Sequence, residues 1–272
     1  MNAFRATRMR RADGEERATG RDTPPPGEVS AFRRLRAVPT VLLVRHGRTE
    51  ANVSGVLAGR TPGVRLDRCG HDQSRALAAR LRNIPFAVVV SSPLERCLDT
   101  AAAILAGRDG LAVTVEDRLT ECGYGEWTGR ALKDLSRERL WKVVQSHPSA
   151  VTFPGGESLR AAQARAVDAV RERDAQVAAD VGPNAVWIAV SHADVIKAVV
   201  ADALGMHLDL FQRLVVDPCS VTAVRYTDGR PFVIRLNDTG DDLSGFHPGR
   251  RRRRRPAADA TVGRGAGDAV GS

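Results

Sequence analysis

Three short apolar runs end abruptly in polar side chains, and this pattern constrains the fold more than any other feature of the chain. They span residues 40–44, 87–90 and 185–191, and their aliphatic and β-branched side chains are typical of buried strands. The polar residues that follow these runs are Arg45, His46, Arg96 and His192. Because ligands of open α/β folds bind beyond the carboxyl ends of the strands, we expect these residues to share one site.

The central part of the chain alternates strand and helix patterns. Strands are predicted at residues 40–44, 87–90, 112–115, 185–191, 220–226 and 231–236. Helices are predicted at residues 70–82, 93–106, 129–144, 157–181 and 193–204. This alternation predicts a mostly parallel sheet, and right-handed crossovers place helices on both of its faces. The second helix is expected to begin at Ser91-Ser92-Pro93, with a serine as its cap and proline in its first turn.

The residue types at these strand ends suit a phosphoryl group. A neutral imidazole can attack phosphorus and hold it covalently, and His46 is the candidate nucleophile. The guanidinium groups of Arg45 and Arg96 match phosphate oxygens, and they would also lower the pKa of His46. His192, at a predicted helix start, would donate to the same oxygens. The sequence therefore predicts a phosphate pocket that requires neither a metal nor another cofactor.

A proton donor for the leaving alcohol is predicted in the segment 119–127, which contains aromatic residues and glycines. Glu121 is the candidate, because shielding by this loop would raise its pKa and suit it to general acid catalysis. Glu126 is the competing carboxylate in the same segment.

Five motifs in a fixed order resemble a known family. In chain order they are Arg45-His46-Gly47, Ser91-Ser92-Pro93 with Arg96 and Thr100-Ala101, Glu121 with Gly125 and Trp127, Gly155-Gly156-Glu157-Ser158, and Ser191-His192. Together they resemble the histidine phosphatase superfamily, the phosphoglycerate mutase-like group, over roughly residues 40–240. A single Arg-His-Gly tripeptide is a weak signal, whereas five ordered matches are specific.

The resemblance implies a three-layer α/β/α sandwich with a covalent phosphohistidine on His46. It implies a pocket formed by Arg45, Arg96 and His192, with Glu121 as the proton donor. Further residues expected to contact phosphate or substrate are Thr49, Asn52 and Arg60. The chain departs from the family pattern at Arg48, where the family often has Glu, and residues 59–73 lack the usual Asp-x-Pro-Leu-Thr run.

Phosphatases and mutases of this family share the same chemistry. Mutases carry a long insertion after the acidic Glu, with paired arginines that hold a bisphosphate, whereas residues 122–154 of this chain contain no Arg-Arg pair. Without this second anionic clamp the phosphoryl group is expected to pass to water. We therefore predict the phosphatase-type branch and hydrolysis of a small phosphorylated metabolite, with a bisphosphoglycerate-dependent mutase as the enzymatic alternative.

The net positive charge of the protein comes from the two ends of the chain. The net charge of the protein is +9, and residues 1–38 and 250–272 contribute +4 and +5 of it. We interpret these ends as an Arg-rich flexible extension and a disordered tail, on either side of a catalytic domain at residues 39–249. The six arginines at 250–255 raise the non-enzymatic alternative of a nucleic-acid or acidic-surface binder, which we consider the weaker interpretation.

The location and assembly of the protein follow from weaker signals. Neither a signal-peptide pattern nor an apolar stretch long enough to span a membrane is found in the sequence, so a cytoplasmic location without membrane association is expected. The four cysteines lack the spacing of metal ligands. The family resemblance makes a homodimer a reasonable expectation.

Overall fold

The structure, a computed structural model, describes residues 38–240. The strands are β1 (Thr40–Arg45), β2 (Val89–Ser91), β3 (Val113–Val115), β4 (Val186–Ser191), β5 (Val221–Tyr226) and β6 (Pro231–Asp238). The helices are α1 (Glu50–Ser54), α2 (Arg68–Leu81), α3 (Glu95–Leu105), α4 (Leu132–Leu135), α5 (Arg139–Ser146), α6 (Leu159–Asp180) and α7 (Ala193–Ala203). The predicted tail at 250–272 and nearly all of the predicted N-terminal extension lie outside the described residues.

The strands form one six-stranded sheet in the order β3-β2-β4-β1-β5-β6. β1 to β4 run parallel to one another, and β5 and β6 add an antiparallel edge. Each of the four parallel strands ends at the same edge of the sheet. That edge is where the sequence predicts the phosphate pocket.

Both faces of the sheet are covered by helices, as expected for a parallel sheet. Along β1, Val41 and Leu43 pack in the apolar core that contains α6 and α7, whereas Leu42 and Val44 pack in the core that contains α2 and α3. Successive residues of a strand point to opposite faces, so both sets are buried only if both faces are covered. The predicted three-layer α/β/α sandwich is confirmed.

Two local predictions were wrong. The predicted helix at 129–144 is two short helices, α4 and α5, and it begins after Gly129, which has a left-handed backbone with φ of 80°. The predicted serine cap of α3 is also absent, because the residue at the cap position is Leu94, which forms no side-chain capping bond. Ser91 instead belongs to β2, and Ser92 contacts His192.

The short helix α1 was not predicted. Its N-cap is Thr49, whose side-chain oxygen accepts a hydrogen bond from the backbone N–H of Asn52. The side chain of Asn52 accepts in return from the backbone N–H of Thr49, which completes a capping box. Only five residues long, this helix is too short to give a periodic apolar pattern.

Candidate active site

The register between β1 and β4 brings the two candidate histidines together. Arg45, the last residue of β1, lies opposite Ser191, the last residue of β4. The residue after each strand is a histidine, and the backbone N–H of His46 donates to the carbonyl of Ser191 at 3.0 Å. The imidazole rings of His46 and His192 meet edge-on, with centroids 5.2 Å apart. The juxtaposition expected from the sequence is therefore present.

His46 is held in a form that suits a nucleophile. Its Nδ1 lies 2.7 Å from the carbonyl oxygen of Gly47. A carbonyl oxygen can only accept, so Nδ1 carries the hydrogen and Nε2 keeps its lone pair in the neutral ring. Burial lowers the pKa of His46 well below its usual range, and the charges of Arg96 and Arg45 lower it further. The ring is therefore neutral near pH 7.

Two buried arginines accompany the histidines. Arg45 and Arg96 are 1% and 2% exposed, respectively. Nη1 of Arg45 donates to the carbonyl of Val216, and Nη2 of Arg96 donates to the carbonyl of Gly59, each at 2.8 Å. Nη1 of Arg96 has no hydrogen-bond partner among residues 38–240. A buried guanidinium with an unmatched N–H is costly unless an anion joins it, which is what a phosphate pocket requires.

Glu121 is the carboxyl group next to the histidines. Its Oε2 lies 3.8 Å from Nδ1 of His192, and its side chain is almost fully buried. Burial raises the pKa of Glu121 to about 7, the charge of Asp194 adds to this effect, and Arg96 opposes it. Burial also lowers the pKa of His192 well below its usual range, so near neutral pH the contact joins a neutral imidazole to a carboxyl group that is only partly ionised. The competing carboxylate, Glu126, is exposed to solvent.

His192 is oriented by a residue that the sequence assigned to a helix cap. Nε2 of His192 lies 2.8 Å from the hydroxyl of Ser92, and the backbone N–H of Leu94 donates to the same hydroxyl. The hydroxyl thus accepts from Leu94 and can donate its own hydrogen to Nε2. In that arrangement Nδ1 of His192 carries the hydrogen and faces Glu121.

The loop that carries Glu121 is held by ionic contacts that the sequence did not reveal. Arg165, on α6, donates to the carbonyl oxygens of Arg118, Thr120 and Glu121 at 2.6–3.1 Å. Its guanidinium also pairs with the carboxylate of Glu157, which accepts from the backbone N–H of Gly123 at 2.7 Å. No local pattern indicated this pair, because Glu157 precedes Ser158, the N-cap of α6, whereas Arg165 lies within the helix.

The remaining predicted contact residues already use part of their bonding capacity within the fold. Thr49 and Asn52 bond to each other in the capping box of α1. Arg60 donates to the carbonyl of Glu121 and pairs with Glu157, each at 2.8 Å. Arg48, the departure from the family pattern, pairs with Asp67, the N-cap of α2. Its reversed charge is thus balanced within the fold.

Within residues 38–240 the structure groups no three His, Cys, Asp or Glu side chains where they could hold a metal ion. Over the same residues no helix is long and apolar enough to cross a membrane.

Comparison with known proteins assigns the chain to a family. The sequence profile of the histidine phosphatase superfamily (branch 1) matches residues 41–239. The chain belongs to the histidine phosphatase superfamily. The predicted resemblance is therefore confirmed, and the match covers all six strands of the sheet.

Several relatives of this superfamily member are phosphatases. It is 30% identical to phosphoserine phosphatase 1 of Hydrogenobacter thermophilus over 207 residues, which covers 73% of this chain and 92% of the relative. It is 36% identical over 215 residues, or 75% of its length, to a bifunctional protein of Mycobacterium tuberculosis, and spans only 56% of that relative. A 2,3-bisphosphoglycerate-dependent phosphoglycerate mutase of Rhizobium etli is 37% identical over 137 residues, or 46% of this chain and 63% of the mutase.

Solved structures lead to the same fold. The crystal structure of a putative alpha-ribazole-5'-P phosphatase from Escherichia coli has a TM-score of 0.66 and is 25% identical, and the match covers 76% of this chain and 99% of that one. The mycobacterial glucosyl-3-phosphoglycerate phosphatase has the same TM-score and identity, with 73% and 99% covered.

Proposed function

We propose that this protein is a phosphatase that hydrolyses a small phosphomonoester through a phosphohistidine on His46. The observation that carries the proposal is the hydrogen bond from Nδ1 of His46 to the carbonyl of Gly47, which leaves Nε2 unprotonated in a buried, electropositive pocket. The phosphatases among the relatives support hydrolysis as the reaction.

In the first step Nε2 of His46 attacks phosphorus and the bond from phosphorus to the leaving oxygen breaks. Glu121 gives its proton to that oxygen, so the product leaves as a neutral alcohol. Arg45, Arg96 and the Nδ1–H of His192 hold the phosphoryl oxygens as charge spreads over them. In the second step the Glu121 carboxylate takes a proton from water, the water oxygen bonds to phosphorus, and the bond to Nε2 breaks.

The two halves of this cycle need opposite protonation states of Glu121. A pKa of about 7 places the group where both states are accessible near neutral pH. A carboxyl group with an ordinary pKa would rarely hold the proton that the first step consumes. The burial of this side chain is thus the physical basis of its proposed role.

The experiment is hydrolysis of p-nitrophenyl phosphate in the presence of EDTA by wild type, His46→Ala and His71→Ala. His71 is an exposed histidine on α2 and serves as the matched control. We expect His46→Ala to lose at least about 10³-fold in kcat and His71→Ala to keep wild-type activity. Radiolabelled phosphate should be trapped on wild type through an acid-labile, alkali-stable linkage. It should not be trapped on His46→Ala. Full activity of His46→Ala would refute the proposal.

A phosphoglycerate mutase is the second candidate, favoured by the similarity to the Rhizobium etli enzyme. The absence of an Arg-Arg pair between Glu121 and the Gly155-Gly156 turn speaks against it. Conversion of 3-phosphoglycerate in the presence of 2,3-bisphosphoglycerate decides between the two. Turnover there that exceeds p-nitrophenyl phosphate hydrolysis would make the mutase the better assignment.

The remaining proposals concern partners. The substrate is a small phosphorylated metabolite, and a homodimer remains a prediction that light scattering would test. The nucleic-acid alternative rests on residues 250–255, which lie outside the described residues. Comparing DNA retention of the full chain and a variant lacking residues 250–272, at low and moderate salt, tests it, because phosphate-backbone binding weakens steeply with salt.

A further inference from the structure

A buried carboxylate that the proposed mechanism does not use lies just behind the acid. Asp194 is the second residue of α7, the helix that begins immediately after His192. It is 2% exposed, and its Oδ2 accepts a hydrogen bond from the hydroxyl of Tyr124 at 2.7 Å. Tyr124 belongs to the same loop as Glu121, three residues further on. The bond therefore ties the acid loop to the helix that positions His192.

The surroundings of Asp194 stabilise its negative charge. Its Oδ1 lies 3.7 Å from the ammonium of Lys197, which is fully buried one turn further along α7. Tyr124 supplies an O–H donor, and burial raises the pKa of Tyr124 well above its usual range, so this donor stays protonated. The N-terminal end of α7 adds the favourable field of its backbone dipoles. Each of these groups interacts favourably with a negative charge on the Asp194 carboxylate.

The other charges around Glu121 cannot take over the role of Asp194. The cations that face its carboxyl group, its backbone or Asp194 are Arg45, Arg96, Arg60, Arg165 and Lys197. Among residues 38–240, the titratable groups near it also include Glu157, His192, Cys97, Cys122 and Tyr124. Glu157 is the other carboxylate of this set, and two guanidinium groups already neutralise it.

We propose that Asp194 is a positioning residue that keeps the proton on Glu121 by electrostatic repulsion, while its bond to Tyr124 holds the acid loop in place. Two neighbouring carboxyl groups in a buried site cannot both ionise cheaply, so the one with weaker stabilisation retains the proton. Asp194 has an O–H donor, an ammonium and a helix terminus. Within the part of the chain that the structure describes, Glu121 accepts one backbone hydrogen bond, from the N–H of Cys122, and the charges of Arg96 and Arg45 only partly offset the effect of its burial on its pKa. This proposal rests on the proposed function.

The test is the pH profile of kcat/KM for p-nitrophenyl phosphate in variants whose charge changes have opposite sign. Asp194→Asn removes the anion but keeps an oxygen that can accept from Tyr124, whereas Lys197→Gln removes the cation that offsets it. Asp174→Asn is the matched control, because Asp174 is a buried carboxylate on α6 that accepts from the indole N–H of Trp187.

Wild type is expected to lose activity as the pH rises through about 7, where Glu121 gives up its proton. This loss of activity is the alkaline limb of the pH profile. In Asp194→Asn the limb should move about one pH unit toward acid, which lowers kcat/KM about tenfold at pH 8 and leaves it near the wild-type value at pH 5. In Lys197→Gln the limb should move toward alkali, and in Asp174→Asn it should stay in place. A residue with a purely structural role would lower activity without moving the limb.

The proposal is overturned if the limb stays in place in both variants, or if both variants move it in the same direction. Should one variant fail to fold, the other tests the proposal alone. A limb that stays in place, or that moves against the direction expected for that variant, overturns it. If wild type hydrolyses no phosphomonoester at all, the proposed function fails instead. The proton affinity of Glu121 is then followed by the pH dependence of the free energy of unfolding in the same variants, and the same shifts are expected.

Discussion

Replacing Glu121 by glutamine should make the protein more stable at alkaline pH, although it removes the proposed proton donor. The folded protein raises the pKa of this carboxyl group from 4.5 to about 7, mainly by burial. A group whose pKa is raised on folding favours the folded state below its unfolded pKa and loses that advantage as the pH rises. Above about pH 7 wild type therefore carries the full cost of a buried carboxylate.

The magnitude follows from the pKa difference. A shift of about 2.5 units, at about 1.4 kcal/mol per unit, corresponds to about 3 kcal/mol between pH 4 and pH 8. Glutamine has nearly the same shape as the protonated acid, so Glu121→Gln and wild type should have similar stability at pH 4. At pH 8 the variant should be more stable by about 3 kcal/mol, or roughly 6–12 °C in Tm for a domain of this size.

The assay is urea unfolding of both proteins at pH values from 4 to 9, followed by tryptophan fluorescence. Glu126→Gln, at an exposed position in the same loop, is the control and should show no gap of this size. A free-energy difference between Glu121→Gln and wild type that does not change with pH would refute the reasoning. It would mean that Glu121 does not hold a proton in the folded protein.

Three further predictions concern residues that support the site. Arg165→Met should loosen the Glu121 loop and so lower kcat about 10- to 100-fold with little change in KM. Steady-state kinetics would measure both constants, and a change in KM alone would contradict the prediction. Ser92→Ala should lower kcat about tenfold by releasing the ring of His192, and Ser92→Thr should recover part of the loss in the same assay. Gly125→Ala should cost more stability than Gly129→Ala in thermal unfolding. Both glycines have positive φ, but a Cβ at Gly125 would lie 2.0 Å from a backbone oxygen, whereas one at Gly129 meets open space; equal losses would contradict this.

The sequence predicted the sheet and the strand ends well because those signals are local. Residues 41–44, directly before Arg45, are apolar and buried at every position, since both faces of a central strand are covered. The switch from apolar to polar side chains then marks the sheet edge. Pairing of β1 with β4 is enough to bring His46 and His192 together, so the core of the site followed from two strand ends.

The supporting residues could not be predicted from the sequence because their contacts join distant segments. Asp194 and Lys197 lie in a helix that is buried along nearly its whole length, and in sequence they read as ordinary charges. Tyr124 bonds to Asp194 across 70 positions of the chain. Nothing in the local pattern indicates such a pair. The division of 129–144 into two helices was missed for another reason, because neither helix is long enough to develop a full apolar stripe.

The site combines several buried ionisable groups, each of which opposes folding when it is charged. Arg45, Arg96, Glu121 and His192 are all buried, and charge burial without a partner costs several kcal/mol. The two histidines and the acid avoid much of this cost by staying neutral, as the directions of their pKa shifts show. Arg96 cannot do so, and its bond to the carbonyl of Gly59 only partly replaces water. An arriving phosphate dianion supplies the missing negative charge, so a protein built this way should gain stability when phosphate binds.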